Sequence, residues 1–405
     1  MPFYFDAMLM ILAVVALLGR VGLALYATGL VRSKNSAGTI TRVLCDLCVG
    51  SLAFWAIGGA LLLQKHPSII GIDRNLIFGW IIPNPPNLFF HLTIVLLASG
   101  VVVGAVAERF KFFPLCIASA VLAGIVLPIT GGCVWYGWLG LHGFIDIGGA
   151  TAMHVAAGAF AAVAAMMVGP RNGKFNKDGS STMIPGHSVP FAALGAIVMI
   201  VAWTAALSGR AILAGETNGP SMAALSTVLA ASAAGLSALV LGQFRYGKPD
   251  VILAIIGLLG GLAAISGGAG TISTAGAVLT GIVAGALVPV ASVFIDLRLR
   301  IDDPSGLIAV HLIGGAWGTI AAGLFGRLAN TSHLAQFGRQ IVGMVVVASF
   351  AAIVSALVFG LLKMSVGIRA READEFDGLD LAEHDIGAYP DFQQTMIKSY
   401  HLREV

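Results

Sequence analysis

Two histidines lie in strongly apolar stretches of this 405-residue chain, and each follows an aspartate by eight positions. The pairs are Asp146 with His154, in DIGGATAMH, and Asp303 with His311, in DPSGLIAVH. A neutral imidazole offers one hydrogen-bond donor and one acceptor, and ionisable side chains at membrane depth usually mark a pathway. Each histidine could instead simply tie two helices together. The matched spacing of the two pairs favours a pathway for protons or small hydrogen-bonding molecules.

The two aspartates stand at the predicted starts of apolar helices. Asp146 comes directly before a glycine-rich turn. A carboxylate at such a position accepts hydrogen bonds from the first free backbone N–H groups and interacts favourably with the helix dipole. We therefore predict that Asp146 and Asp303 are first structural, as helix caps, and attract cations only secondarily.

The composition places the whole chain in a membrane. Hydrophobic residues make up 58% of it and charged residues 11%, far from the soluble average. Apolar segments of the roughly 20 residues that a bilayer requires recur near 7–31, 40–64, 86–107, 112–133, 144–168, 187–209, 220–243, 250–267, 273–295, 306–326 and 340–366. The sequence predicts an all-α integral membrane protein with eleven transmembrane helices.

The predicted spans divide into two halves of five, at about 1–170 and 187–330, followed by helix eleven. Halves with an odd number of spans must have opposite orientations, which is the inverted-repeat plan of many transporters. The fifth and tenth spans carry the two Asp–His pairs, so both imidazoles should approach the middle of the membrane from opposite sides. We predict a five-plus-five inverted repeat around a central pore within residues 1–368. The cytoplasmic tail at 369–405 is polar and acid-rich, and its segment GLDLAEHDIGAYPDF is amphipathic enough to pack against the cytoplasmic face.

Lysine and arginine are distributed unequally between alternate loops, and cytoplasmic loops collect these residues. One side holds Arg32, Lys34, Arg42, Arg109, Lys111, Arg171, Lys174, Lys177, Arg245, Lys248, Arg298, Arg300, Arg369 and Arg371, whereas the other holds Lys65, Arg74, Arg327 and Arg339. Fourteen against four predicts a multi-pass protein of the plasma or inner membrane, with the N-terminus outside and the C-terminus cytoplasmic.

Several classes of function are disfavoured. The net charge of +3 is small and dispersed, so we expect no nucleic-acid partner. The cysteines Cys45, Cys48, Cys116 and Cys133 lie in or beside predicted spans as apolar fillers, and the CDLC spacing has no second ligand pair. We therefore expect no metal site and no cofactor. The sequence shows no arrangement of a nucleophile beside a general base, so we expect no enzyme. Membrane lipid and a transported molecule are the expected partners.

Five segments, in order along the chain, resemble the ammonium transporter (Amt/Mep/Rh) family. They are LYATGLVRSKN at 25–35, GAVAERFKF at 104–112, HGFIDIGGATAMHVAAG at 142–158, DDPSGLIAVHLIGGAWGTIAAGLF at 302–325 and GLDLAEHDIGAYPDF at 378–392. The resemblance implies a homotrimer with one pore per subunit and ammonium or ammonia as the transported species. It also implies a tail that couples subunits and is regulated, in some members, by a PII-type signal protein.

The same resemblance assigns roles to single residues. His154 and His311 correspond to the twin histidines of the family pore. Asp146 corresponds to the aspartate that supports the outer recruitment site, and Trp135 corresponds to the vestibule tryptophan. In the family, ammonium loses a proton at the outer site, and ammonia and the proton then move past the histidines.

The pore mouth departs from the family pattern. Ile94 and Ala206 stand where the family has two stacked gate phenylalanines, although Phe90 matches a further aromatic residue of the vestibule. A cation over an aromatic ring gains about 0.5–2 kcal/mol, so the loss of two rings predicts weaker recruitment of a cation.

Arg210 is a larger departure, because it falls where the family commonly has a serine that helps bind the cation. Two like charges about 6 Å apart at an effective dielectric of about 20 repel by roughly 3 kcal/mol. That energy corresponds to an approximately hundredfold loss of ammonium affinity. Alternatively, Asp146 or Glu216 neutralises Arg210, or its side chain turns outward to the lipid headgroups.

Arg20 lies near the centre of the first predicted span, where an unpaired charge costs at least about 2.5–3.5 kcal/mol. It must pair with an acid or face a water-filled cavity such as the outer vestibule. Asp46 of the second span is the only intramembrane acid that the sequence offers as a partner.

Two functions of different class remain. The first is transport of ammonium or ammonia through a twin-histidine pore. The second is a non-conducting ammonium sensor or regulatory relative, or a channel for another small neutral molecule. The twin histidines and nearly all the motifs favour the first, whereas Ile94, Ala206, Arg20 and Arg210 favour the second.

Overall fold

The computed structural model describes residues 2–64, 69–216, 219–327 and 331–390. Lys65 of the predicted outer loops and residues 391–405 of the tail lie outside them. The described residues contain helices and two isolated bridges but no β-strand, so the predicted all-α class is confirmed.

Ten of the helices are long and apolar enough to cross a membrane. They are α1 (Tyr4–Leu30), α2 (Ser33–Leu62), α3 (Pro85–Ala105), α4 (Phe112–Leu141), α5 (Ala150–Val168), α6 (Val189–Leu213), α7 (Gly219–Tyr246), α8 (Val251–Gly268), α9 (Thr274–Leu297) and α11 (His333–Ser365). The tenth predicted span is the shorter apolar helix α10 (Ala309–Phe325), so the count of eleven stays a prediction. Two short helices follow, α12 (Glu372–Asp377) and α13 (Leu379–His384).

Polar side chains define the starts of five of these helices. Each accepts a hydrogen bond from a backbone N–H in the first turn, which would otherwise lack a partner. These caps are Asn84 for α3, Ser188 for α6, Asp250 for α8, Ser273 for α9 and Ser332 for α11. In α3 and α6 a proline also stands in the first turn, where its missing N–H costs nothing.

The helices that carry the two histidines begin with a wider π-helical turn. These turns are Ala150–Val155 in α5 and Ala309–Ile313 in α10, and they contain His154 and His311 respectively. Single π turns inside α-helices are rare and often lie at functional sites. Both histidines therefore sit where the regular hydrogen-bond ladder of the helix is interrupted.

Glycines allow α5 and α10 to cross in close contact. A Cβ added at Gly158 would lie 2.5 Å from the backbone nitrogen of Leu312, and one added at Gly315 would lie 2.6 Å from the carbonyl oxygen of Ala150. Each glycine stands four positions after a histidine, so each helix presents its glycine to the π turn of the other. This reciprocal contact suits the predicted inverted repeat, and small residues at helix crossings are a common device in membrane proteins.

Replacing Gly158 by alanine is expected to destabilise the protein by about 1–3 kcal/mol, because the new methyl group meets backbone that cannot rotate away. Gly360→Ala in α11 is the matched control, since its Cβ would have its nearest neighbour at 4.0 Å. That change should be neutral or stabilising by up to about 1 kcal/mol. Thermal unfolding in detergent measures both variants, and equal midpoints would contradict the proposed close contact.

Arg20 and Asp46 form a buried ion pair between α1 and α2. Arg20 Nη2 lies 2.7 Å from Asp46 Oδ2, and the guanidinium also donates to the carbonyl oxygens of Leu96 and Val43. Ser99 donates its hydroxyl to the same carboxylate oxygen at 2.8 Å. Of the two alternatives for Arg20, the pair with Asp46 is confirmed, and the water-filled vestibule is not where its charge is matched.

The tail docks against the helix ends opposite the start of α5. The carboxylate of Asp380 accepts hydrogen bonds from the backbone N–H groups of Ala37 and Gly38 at 2.9 and 2.6 Å, and Glu383 pairs with Arg42. The backbone N–H of Leu379 donates to Asn35 Oδ1. The described part of the tail is thus held by specific polar contacts, as the sequence predicts, whereas a regulatory role stays a prediction.

A buried charge cluster on this tail face surrounds Asp302. Arg171 donates to both carboxylate oxygens of Asp302 and also pairs with Glu108. Burial alone would raise the pKa of Asp302, but the hydrogen bonds from Arg171 and the charges of Arg109 and Arg171 outweigh it and lower the pKa to about 2. The loop that leads into α10 is therefore fixed to the loop that follows α5.

Replacing Asp302 by asparagine is expected to destabilise the protein by about 3 kcal/mol, because buried arginines lose their counter-charge. The unfolded carboxyl titrates near a pKa of about 3.9. Since the folded pKa is lower, this contribution should be complete above about pH 4 and lost between about pH 4 and pH 2. Thermal unfolding against pH tests this. Asp296→Asn, which breaks the part-exposed pair with Lys174, should cost under about 1 kcal/mol, and an equal loss in both variants would contradict the account.

Candidate functional site

His154 and His311 meet in the interior of the bundle. The two Nδ1 atoms are 3.0 Å apart, the ring centroids are 4.9 Å apart, and the side chains are 6% and 3% exposed. They arrive on helices that run in opposite directions, because α5 ends and α10 begins at the tail face, where Arg171 binds Asp302. The predicted approach of the two rings is confirmed, whereas their role in a pore stays a prediction.

Hydrogen bonds around the pair assign the ring protons. Ser266 donates its only hydroxyl proton to the carbonyl oxygen of Leu262, so its oxygen must accept from Trp203 Nε1 and from His154 Nε2, each at 3.1 Å. His154 therefore carries its proton on Nε2 and accepts at Nδ1. In the neutral pair, His311 then donates from its own Nδ1.

Trp203 covers one face of this pair. Its ring is stacked on His154, with centroids 5.1 Å apart and an angle of 25° between the planes. A cavity of about 20 Å³ lies beside the exposed edge of His154, lined also by Ile94, Ala206 and Met153. This volume admits roughly one water-sized molecule. The two positions that lack the expected gate rings therefore line a space sized for one ammonia or water molecule.

Asp146 caps the helix that carries His154. Its Oδ1 accepts from the backbone N–H groups of Gly149 and Ala150, and its Oδ2 accepts from those of Thr151 and Ala152, at 2.7–2.9 Å. All four free N–H groups at the start of α5 are satisfied in this way. The carboxylate is fully engaged, which agrees with a structural role.

Asp303 plays a comparable role at α10. Its carboxylate accepts from the backbone N–H groups of Ser305 and Ile308 and from the Ser305 hydroxyl. In both helices, the aspartate that stands eight residues before the histidine thus caps the start of the helix.

A vestibule of about 420 Å³ opens at the start of α5. Trp135, Tyr136, Asp146, Ile147 and Arg210 are among the residues that line it. Trp135 is fixed by a hydrogen bond of 2.8 Å from its Nε1 to the carbonyl oxygen of Asp146. The vestibule is therefore built from an aromatic wall and a capped helix start.

Arg210 turns inward into this vestibule. The central carbon of its guanidinium lies 3.7 Å from the centre of the Trp135 ring, Nε donates to the Ile147 carbonyl oxygen, and Nη1 lies 3.0 Å from His91 Nε2. Only 4% of its surface is exposed. Within the described residues, neither Asp146 nor Glu216 is a hydrogen-bond or ion-pair partner of Arg210. The outward turn and neutralisation by Glu216 are therefore wrong, whereas the carboxylate of Asp146 acts on the guanidinium through its charge, without a direct hydrogen bond.

Three residues of the site were missed by sequence reasoning. His91 lies between Phe90 and Ile94 in the same apolar span, and the rule that singled out His154 would have found it. Tyr136, next to Trp135, donates its hydroxyl toward His91 at 3.1 Å. Ser266 gives no signal in the sequence, because it meets His154 across 112 positions of chain.

Solved structures share this architecture. A protein described as a sensor Amt protein superposes with a TM-score of 0.90 at 33% identity, covering 94% of this chain and 98% of its own. Mep2 of Candida albicans superposes with a TM-score of 0.82 at 21% identity, covering 91% of this chain and 87% of its own, which shows the fold. These likenesses and the membrane-spanning helices define a multi-pass membrane protein with the fold of the Amt and Mep proteins.

Sequence relatives give the family. The profile of the Ammonium Transporter Family matches residues 7–389. The ammonium transporter Amt2 of Archaeoglobus fulgidus is 33% identical across 92% of this chain and 86% of its own. Amt1 of Haloferax mediterranei is 32% identical across 92% of this chain and 76% of its own. The chain belongs to the ammonium transporter family.

Proposed function

We propose that this protein conducts ammonium, as ammonia and a proton, through a pore in each subunit that passes the pair His154 and His311. The contact of the two Nδ1 atoms at 3.0 Å carries the proposal. A buried neutral pair of imidazoles offers donors and acceptors to a small polar molecule in otherwise apolar surroundings, and it can pass a proton between ring nitrogens.

The geometry suggests an order of events. Ammonium reaches the vestibule beside Trp135, where an aromatic face and the Ile147 carbonyl oxygen suit a cation. The cavity beside His154 holds about one water-sized molecule, which favours passage in single file. In the neutral pair the Nδ1 proton of His311 faces the Nδ1 lone pair of His154 at 3.0 Å, so a proton can pass from one ring to the other while both rings keep their positions.

The family and the distribution of lysine and arginine support a proposal for the oligomeric state and the orientation in the membrane. We propose a homotrimer in a plasma or inner membrane, with the N-terminus and the vestibule outside and the tail in the cytoplasm. The docked segment with Asp380 and Glu383 is the proposed regulatory element, and a PII-type signal protein is a candidate partner for it.

Electrical recording on proteoliposomes tests this function. Ammonium pulses should evoke a current that saturates with concentration, whereas equal pulses of sodium or potassium should evoke none. The lack of any ammonium current at every concentration, with intact trimers in the liposomes, would contradict transport.

A second candidate is an ammonium sensor that binds at the vestibule without conducting. The buried guanidinium over Trp135 favours it, as does the likeness to a solved sensor Amt protein. In that case ammonium should change hydrogen exchange in residues 369–390 without evoking a current. A current that appears only in Arg210→Ser would show that the native mouth is closed and would favour sensing.

A further inference from the structure

The guanidinium of Arg210 occupies the position where the vestibule offers most to a cation. It lies 3.7 Å from the ring centre of Trp135, within the distance at which a cation is attracted by an aromatic face. Its Nε donates to the Ile147 carbonyl oxygen at 3.0 Å. A free ammonium ion at this position would use the same aromatic face and the same acceptor.

His91 completes the set of acceptors that bind the guanidinium of Arg210. Its Nδ1 lies 2.9 Å from the carbonyl oxygen of Asn87 and must donate to it, because a carbonyl only accepts. In the neutral ring Nε2 is then a bare acceptor, and both Nη1 of Arg210 and the hydroxyl of Tyr136 approach it, at 3.0 and 3.1 Å. Aromatic contacts with Phe90 and Trp135 fix the ring of His91.

The charge of Arg210 is held without a direct ion pair. The side chain is 4% exposed, and it contacts a ring face, a carbonyl oxygen, a neutral imidazole and the Tyr136 hydroxyl, while the Asp146 carboxylate attracts it without a hydrogen bond. Such partners hold a cation through dipoles and a quadrupole, as an exchangeable ammonium site would. A carboxylate partner, by contrast, would hold the guanidinium much more firmly.

We propose that Arg210 is a tethered occupant of the outer cation site, and that His91 is the latch that holds it there. Ammonium binds at Trp135 only in exchange for the guanidinium, so the native affinity is low and depends on the strength of the latch. This inference rests on the proposed recognition of ammonium at the vestibule, and it adds His91 as a positioning residue that acts through Arg210.

Direct binding to the full-length protein tests the proposal without using transport. The rise of the thermal midpoint with ammonium chloride, at constant ionic strength set by sodium chloride, gives the dissociation constant. Arg210→Ala should lower that constant by at least about tenfold. His91→Leu should lower it by about five- to tenfold, because a hydrogen bond to a charged group is lost. His142→Ala is the matched control, because His142 is exposed and does not line the vestibule, and it should leave the dissociation constant unchanged.

The double variant separates a latch from a purely structural histidine. If His91 acts through Arg210, adding His91→Leu to Arg210→Ala should change the dissociation constant for ammonium by no more than about twofold. An additive effect would overturn the role of His91. Should His91→Leu fail to fold, Tyr136→Phe removes another hydrogen-bond partner of the guanidinium and should lower the dissociation constant for ammonium in the native background alone.

Free guanidinium supplies an independent test of the site itself. In Arg210→Ala, millimolar guanidinium chloride should compete with ammonium and return its apparent affinity towards the native value, and it should not do so in the native protein. No competition in Arg210→Ala would overturn the proposal. If guanidinium competes with ammonium but no ammonium current is observed, the proposed transport fails and this inference stands. The failure of the inference can therefore be distinguished from the failure of the proposed function.

Discussion

Replacing Arg20 by leucine is expected to cost about 3–5 kcal/mol of unfolding free energy, because the charge of Asp46 is then left alone in the bundle. The native pair is 2.7 Å long, and the two side chains are 5% and 1% exposed. The loss should appear as a lower denaturation midpoint in detergent.

The double variant Arg20→Leu with Asp46→Leu separates the ion pair from simple packing. Removing both charges together should recover most of the lost stability, since a buried pair exchanged for apolar residues is often neutral or stabilising. A double variant as unstable as Arg20→Leu would show that the pair is not the reason for the loss. Transport by the rescued double variant should remain, because the pair lies outside the vestibule.

Replacing Asp146 by alanine is expected to cost several kcal/mol and to abolish ammonium current. Four backbone N–H groups at the start of α5 lose an ionised acceptor, and each hydrogen bond to a charged group contributes about 1.5–3 kcal/mol. The π turn that positions His154 would then lose its anchor. Thermal unfolding and liposome currents, measured on the same preparation, test both effects.

Asp178→Ala is the matched control for that change. Asp178 also accepts from a backbone N–H and a hydroxyl, both of Ser180, but it lies in an exposed loop. It should leave stability and current almost unchanged. An Asp146→Ala protein with native stability and no current would contradict the cap and would give the carboxylate a direct role in cation capture.

Much of the site around the two histidines follows from local sequence. Helix periodicity and the repeated eight-residue spacing are enough to predict that His154 and His311 approach each other, because two short capped helices of equal design must meet at similar depth. The caps at Asp146 and Asp303 are equally local, since each carboxylate binds N–H groups within six positions of itself.

The vestibule could not be predicted in the same way. The direction of Arg210 depends on Trp135 and His91, which come from two other helices, and on a carbonyl oxygen in the loop before α5. A long side chain chooses among its conformers by such distant contacts, whose energies are comparable to those of an outward turn. Sequence identifies the charge, whereas only the packed structure shows what it touches.

The most direct test of the pore compares native protein with His154→Ala in proteoliposomes, recording current and internal pH after ammonium pulses, with His142→Ala as the control. We predict a saturable native current that His142→Ala preserves. His154→Ala should lose the current or change the ratio of charge to ammonia that moves, because the proton relay is broken. Native current and native pH response in His154→Ala, with the protein intact, would contradict a pathway past the paired histidines.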